Sequence, residues 1–286
     1  MAAPKSMTSL PQARSAFDGP NLRRRLVSAA ILAPAALLAV WVGGWLYLVM
    51  VAVALALLSV EWGAMSGPTA RNRAAAVVLA GTLVPVFLAY VGLVRWAWPT
   101  LGLAAAGSAL LASLWRGAER PIDAAFGVLY LGVPGVALVW LRSPEHGRGW
   151  VLTLLCVTWA ADSAAFFAGS LLKGPKLWPR ISPNKTWAGL VGGLVAGAVA
   201  AVALRVAMWD SGPPSLAVAA AVGLIAALAT MGGDLGESML KRRFGVKDSG
   251  DLIPGHGGLL DRVDGLLVAV LAVDLARWAL QGVGAV

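Results

Sequence analysis

The stretch Gly232-Gly-Asp-Leu-Gly-Glu-Ser-Met-Leu-Lys-Arg-Arg-Phe-Gly-Val-Lys-Asp-Ser-Gly-Asp-Leu-Ile-Pro-Gly-His-Gly-Gly-Leu-Leu-Asp-Arg-Val-Asp-Gly265 lies between two apolar runs, Ser215–Met231 and Leu266–Leu280. It holds six of the chain's 14 acidic residues: Asp234, Glu237, Asp248, Asp251, Asp261 and Asp264. It also holds Lys241, Arg242, Arg243, Lys247, Arg262 and His256, one of only two histidines. Carboxylates and cations at this density, spaced by glycines, suit a metal ion and a polyphosphate rather than a packed core. The flanking runs are rich in Ala, Leu and Val, so the stretch reads as the polar part of a membrane protein.

Composition carries that reading to the whole chain. Of 286 residues, 59% are hydrophobic and 13% are charged, and the mean hydropathy is +0.77. A soluble domain carries roughly 25% charged residues, and a membrane-crossing helix needs about 20 apolar ones. Nine runs meet or approach that length: Leu26–Val42, Trp45–Val60, Ala74–Val94, Trp98–Leu114, Ile122–Leu141, Val151–Leu172, Trp187–Met208, Ser215–Met231 and Leu266–Leu280. The expected fold is all-α, a polytopic integral membrane helical bundle of about nine transmembrane helices. Only Gly43-Gly44 separates the first two runs, which leaves a tight hairpin and one long broken run both open. Residues 1–21 are polar, with Pro4, Pro11 and Pro20, and read as a disordered cytoplasmic tail. Residues 22–286 read as one membrane domain with its catalytic half at about 150–286.

The net charge is +9. In a soluble protein it would suggest nucleic acid. Here the positive residues fall between apolar runs, so topology and anionic lipid account for them instead. With the amino terminus in the cytoplasm, the inside segments hold Arg23–Arg25, Arg71, Arg73, Arg116, Arg120, Lys173, Lys176, Arg180, Lys185 and the cations of 232–264. The outside loops hold only Arg95, Arg142 and Arg148. Both polar loops, 173–186 and 232–264, then face the cytoplasm of a cell membrane crossed many times. Cys156, the single cysteine, reads as a small buried hydrophobe. Gly189, Gly193 and Gly197 form a small-residue stripe for close helix packing. Glu61, beside the second run, reads first as a carboxylate tolerated at the interface.

Spacing groups the polar residues. Asp234, Glu237, Ser238 and Lys241 are three and four apart and share one helix face. Their oxygens are the hard ligands that Mg²⁺ takes, although a solvated helix end with internal ion pairs fits the same pattern. Glycines around His256 let backbone N–H groups turn toward an anion, and the imidazole can donate to a phosphate or move a proton. No Walker-type phosphate loop is present. Asp261 and Asp264 are again three apart. Carboxylates in so apolar a chain need a compensating cation, either a divalent ion or Arg262 and the lysines nearby.

Ser238-x-x-Lys241-Arg242, Lys247-Asp248-x-Gly250, Pro254-x-His256-Gly257-Gly258 and Asp261-Arg262-x-Asp264 together resemble the long signature of the phosphatidate cytidylyltransferases, or CDP-diacylglycerol synthases. Trp159-x-x-Asp162-Ser163 with Phe166-Phe167-x-Gly169, and Ser182-Pro183-Asn184-Lys185-Thr186-Trp187, are similar to two further elements of that family. Asn184, Ala188 and Gly265 depart from its usual residues. The resemblance implies transfer of the cytidylyl group of CTP to phosphatidic acid, giving CDP-diacylglycerol and pyrophosphate. It implies Mg²⁺ carried by Asp234 and Asp261, with K⁺ as a possible second ion. Within that frame Asp264, Lys241 and His256 are expected beside the reacting groups. Lys185, Arg242, Lys247 and Arg262 are expected on phosphates, Asp248 shaping the site, Asp162 facing the polar cavity, and Ser182 capping a helix or binding phosphate. A homodimer is left open. Two other readings remain at this point: a CTP-dependent polyprenol or dolichol kinase, and an ion-coupled transporter using Asp162 and Glu61.

Overall fold

The computed structural model describes residues 19–114, 120–143, 147–179, 182–208, 214–253 and 257–282. Among them are nine helices: α1 (Gly19–Val42), α2 (Gly44–Ser66), α3 (Arg71–Tyr90), α4 (Val94–Ser113), α5 (Ile122–Leu141), α6 (Gly147–Leu172), α7 (Trp187–Met208), α8 (Leu216–Arg243) and α9 (Leu260–Gly282). Two short strands, β1 (Lys176–Trp178) and β2 (Ser182–Thr186), form an antiparallel hairpin between α6 and α7. The described residues are therefore all-α apart from this hairpin. Six helices, α2, α3, α5, α6, α7 and α8, are long and apolar enough to cross a membrane. In α1 the apolar part is shorter, Ala30–Val42. In α9 the first turn is polar, with Asp261, Arg262 and Asp264, and Asp274 and Arg277 follow.

The ends of the runs moved where polar residues continue a helix. The eighth run was expected to stop at Met231, yet α8 continues to Arg243. The polar residues of 234–243 therefore sit on a rigid helix. At the amino terminus α1 begins at Gly19, three residues inside the segment expected to be a tail. Proline is tolerated in a first helical turn, where its missing N–H has no partner to lose. The break between α1 and α2 is a single residue, Gly43, with φ of 72°, a conformation that costs an L side chain energy. Arg142 fills the notch beside it, donating from Nε to the carbonyl of Val40 at 2.9 Å.

In the second half of the chain α6 packs on α7, α7 on α8 and α8 on α9. In the first half α2, α3, α4 and α5 pack together, and α5 meets α9 across the halves. Trp62, fully buried on α2, stands where the halves meet. Its ring contacts Phe126 and Tyr130 of α5 and Phe244 after α8, with centroids 5.5–5.7 Å apart. Its Nε1 donates to the carbonyl of Asp123 at 3.0 Å, and the Asp123 carboxylate pairs with Arg243. Outward-facing Leu103, Leu171, Leu172, Val206 and Leu275 are all strongly exposed, as lipid-facing residues of a bundle are.

Helix α7 buries only Gly189, Gly193, Gly197 and Ala201 among its residues, which is the stripe expected from sequence. Close backbone approach, rather than side-chain bulk, holds this helix. A Cβ built on Gly193 would lie 3.0 Å from the carbonyl oxygen of Ala161 on α6. Gly193→Leu should therefore lower stability by about 1–3 kcal/mol through overpacking. Thermal unfolding of the detergent-solubilised protein would measure the loss, and an unchanged midpoint would contradict this contact.

Candidate active site

The site lies where α6, β2, α8 and α9 meet. Two glycines set its floor. A Cβ on Gly233 of α8 would meet the backbone of Asp264 and Gly265 on α9, and one on Gly265 would meet Thr230 of α8. The helices therefore cross with their backbones in contact, which sets Asp234 and Asp264 on either side of the crossing. Gly265, a departure from the family's usual small hydroxyl residue, has its physical reason here, since Thr230 already fills the space.

Lys185 reaches this crossing from the hairpin. Its Nζ lies 2.6 Å from Asp234 Oδ2 and 3.5 Å from the carbonyl of Met231. The local sequence fixes its position. The hairpin pairs Lys176 with Thr186 and Trp178 with Ser182. Thr186 then accepts the Gly189 N–H at 3.1 Å and so caps α7. Such a cap contributes about 1 kcal/mol to a helix. The cap is thus Thr186, whereas the sequence had suggested Ser182, which is half-buried on β2. Gly169 leaves room for the cap, since its Cβ would lie 2.9 Å from Thr186 Oγ1.

Asp162 of α6 is exposed although it sits in a long apolar helix. It lies within electrostatic reach of Asp234 and Lys185. Asp264 is within reach of Asp234, Asp162 and Lys241. Three carboxylates from three helices, and one ammonium group from a hairpin, are thus within electrostatic reach of one another.

A second cluster adjoins it. Lys241 Nζ lies 2.6 Å from Glu237 Oε2 and 2.7 Å from Asp261 Oδ1. The other oxygen of Asp261 accepts the N–H groups of Ser249 and Gly258 at 3.2 and 3.3 Å. Glu237 is buried, and its Oε1 has no hydrogen-bond partner. The hydroxyl of Tyr130, also buried without a partner, is close enough to Glu237 and Asp264 to feel both charges.

The remaining expectations divide. Arg242, Lys247, Asp248 and Arg262 are exposed. His256, with Pro254 and Gly255, lies outside the described residues. Two residues were undervalued. Glu237 stood on the helix face read from sequence but was not counted as a site residue. Glu61 was treated as an interface carboxylate, yet it is 2% exposed and bound to the loop before α9. Its signal was a lone acid beside an otherwise apolar run.

Can this arrangement hold Mg²⁺? The donors are hard carboxylate oxygens, and five carboxylates (Asp162, Asp234, Glu237, Asp261 and Asp264) face two ammonium groups. That imbalance and the unpartnered Glu237 oxygen suit an added cation. Among the described residues no three acidic, histidine or cysteine side chains form a ready-made cage. Mg²⁺ does not require one, because it is commonly held by one or two carboxylates, substrate phosphates and water.

Comparison with known proteins identifies the family. A family model described as the cytidylyltransferase family matches residues 23–279. A phosphatidate cytidylyltransferase of Brucella suis biovar 1 is 40% identical over 263 residues, covering 89% of this chain and 93% of its own. One from Pseudomonas aeruginosa is 31% identical over 269 residues, covering 90% and 97%. The likeness therefore extends through the first half of the chain, beyond the motifs at 159–187 and 238–264. The chain belongs to the cytidylyltransferase family.

Proposed function

We infer that this protein is a phosphatidate cytidylyltransferase, joining CTP and phosphatidic acid into CDP-diacylglycerol and pyrophosphate. The observation that carries the site assignment is that Asp162, Lys185, Asp234 and Asp264, distant in sequence, come within electrostatic reach of one another, with Lys185 paired to Asp234. In the reaction a phosphate oxygen of the lipid bonds to the α-phosphorus of CTP. The bond from that phosphorus to the α–β bridging oxygen breaks, and pyrophosphate leaves with the electron pair. The nucleophile is already an anion, so the protein's task is alignment and charge neutralisation.

Lys185 and Lys241 supply cations for this. Each is now held by carboxylates. When phosphates enter, they take the ammonium groups and free the Asp234 and Asp261 carboxylates. Asp234 and Asp261 would hold Mg²⁺, which when bound neutralises phosphate charge and aligns the reacting oxygens. Asp264 and Asp162 add negative potential that holds the lysines in place and would favour a bound cation. The exposed Arg242, Lys247 and Arg262 draw in the triphosphate, with K⁺ as a further counter-ion. The positive residues between the spans support an orientation with the amino terminus and the site facing the cytoplasm of the cell membrane. Phosphatidic acid then enters from the inner leaflet and CTP from solution.

The test uses the full chain purified in detergent, phosphatidic acid in mixed micelles, and CTP labelled at either the α- or the γ-phosphate. Label from the α position should enter an organic-extractable lipid, with none from the γ position. EDTA should abolish the incorporation and excess Mg²⁺ restore it. Transfer of the γ label to a lipid alcohol would establish a kinase in its place.

A further inference from the structure

Glu61 is the carboxylate that the reaction, as derived above, does not use. It stands on α2, in the first half of the chain, and is almost wholly buried. Its Oε1 accepts the Leu259 N–H at 2.7 Å, and its Oε2 accepts the Leu260 N–H at 2.7 Å. The Ser249 hydroxyl donates to Oε2 at 3.3 Å. All three donors belong to the segment 249–260, which carries the glycine-rich part of the signature and leads into α9.

The need for such a partner follows from the helix itself. The first turn of a helix leaves N–H groups without internal acceptors, and these are met best by Ser, Thr, Asp or Asn at the cap. The carbonyl of Leu259 accepts from Arg262 and Val263 at 2.9 and 3.2 Å, so Leu259 is the cap of α9. A leucine has no side-chain oxygen to offer. Glu61 supplies it from another helix, and its negative charge also suits the positive end of the α9 dipole. The backbone comes close around it: a Cβ on Gly250 would lie 3.3 Å from Glu61 Cγ.

Asp261 is the second residue of α9, and it grips the same segment from the other side through Ser249 N and Gly258 N. Ser249 thus offers its hydroxyl to one carboxylate and its N–H to the other. The two acids brace one loop, and the oxygen that Asp261 gives to Lys241 is aimed by that bracing.

We propose that Glu61 is a positioning residue for the cytidylyl transfer, capping α9 from α2 so that Asp261 is held in register with Lys241. This rests on the assignment of Asp261 to the site. A carboxylate with only a folding role would affect stability and activity in proportion. A positioning role predicts a different pattern. Residues that orient metal ligands typically affect metal affinity or activity by about 10–100-fold. Glu61→Gln keeps the shape but turns one acceptor into a donor facing donors, and kcat should fall about 10-fold, against about 100-fold in Glu61→Ala. KM for both substrates should stay within about 3-fold, and the Mg²⁺ concentration giving half-maximal rate should rise about 10-fold.

A measurement without substrate or metal reads the clamp itself. Hydrogen exchange of peptides spanning 249–264 should quicken by about 10-fold or more in Glu61→Ala, with α5 and α6 unchanged. Tyr47→Phe is the control. It removes a hydrogen bond to the Leu138 carbonyl near the other end of α2, and should lower stability while leaving kcat and the Mg²⁺ dependence as in the wild type. Should Glu61→Ala not be recovered folded, Glu61→Gln and Ser249→Ala carry the same measurements. Wild-type kcat in Glu61→Ala beside an inactive Asp261→Asn overturns the inference alone. So does unaltered exchange at 249–264, or a rate loss matched by Tyr47→Phe at equal stability. Full activity in Asp261→Asn removes the site assignment, and the inference with it.

Discussion

Asp261→Asn should lower kcat by about three orders of magnitude, the scale reached when a preorganised charge at a reacting centre is removed. The substitution is nearly isosteric, but it cannot be silent. Oδ1 of Asp261 takes Lys241, and Oδ2 takes the amides of Ser249 and Gly258. An ionised carboxylate is acceptor-only, whereas a side-chain amide has one oxygen and one NH₂. Whichever way the new amide turns, its NH₂ meets a donor, either the ammonium or the two N–H groups. The protein should therefore lose about 1–3 kcal/mol of stability yet remain folded. Activity should fall far more than that stability loss explains, and Mg²⁺ should restore none of it at any concentration. Steady-state rates and a thermal unfolding curve on the same preparation would check both parts. A rate within about tenfold of wild type, far short of that expected scale, would remove Asp261 from the metal-carrying role.

Lys241→Met has the larger effect on stability. Lys241 is the cation paired with the buried Glu237, on which one oxygen already goes unmet. Removing the ammonium group leaves Glu237 and Asp261 facing each other. Breaking a buried ion pair by deleting one member costs about 3–5 kcal/mol, because the other charge stays buried without compensation. The double variant Lys241→Met with Glu237→Gln separates the two roles of this lysine. Stability should return in large part, since the uncompensated charge is gone, while activity should not. Recovery of activity along with stability would mean that Lys241 serves the fold alone. The comparison is a double-mutant cycle and isolates the coupling of the two residues.

Much of this site was legible because chain chemistry is local. A carboxylate at 234 and an ammonium group at 241 share a helix face by spacing alone, and α8 presents them so. The runs Ile122–Leu141 and Trp187–Met208 coincide with α5 and α7 as written in the sequence. What spacing could not supply was which element lies against which. Lys185 meets Asp234 only because α7 is capped by Thr186 and the hairpin turns back beside α6. That hairpin contains Pro183, a residue that argues against a strand unless the strand lies at an edge, and both strands here are edges. Glu61 was visible as a lone acid, but its partners are 188, 198 and 199 residues away. No periodicity connects positions that far apart. The helix crossing at Gly233 and Gly265 was hidden for the same reason, as a glycine in a sequence does not say which backbone will come close to it.

The separation of Glu61 from Leu259 and Leu260 also has a meaning in time. A ribosome adds roughly 5–20 residues per second, so with Leu259 198 positions after Glu61 the carboxylate waits roughly 10–40 s for its first amide partner. Throughout that interval α2 is made, but the group that will hold Glu61 inside the protein does not yet exist. An unpaired carboxylate is expensive to bury, so the nascent α2 keeps this end in contact with water. It reaches its final depth only when α9 emerges. The emergence of α9 therefore completes both the site and the seating of α2.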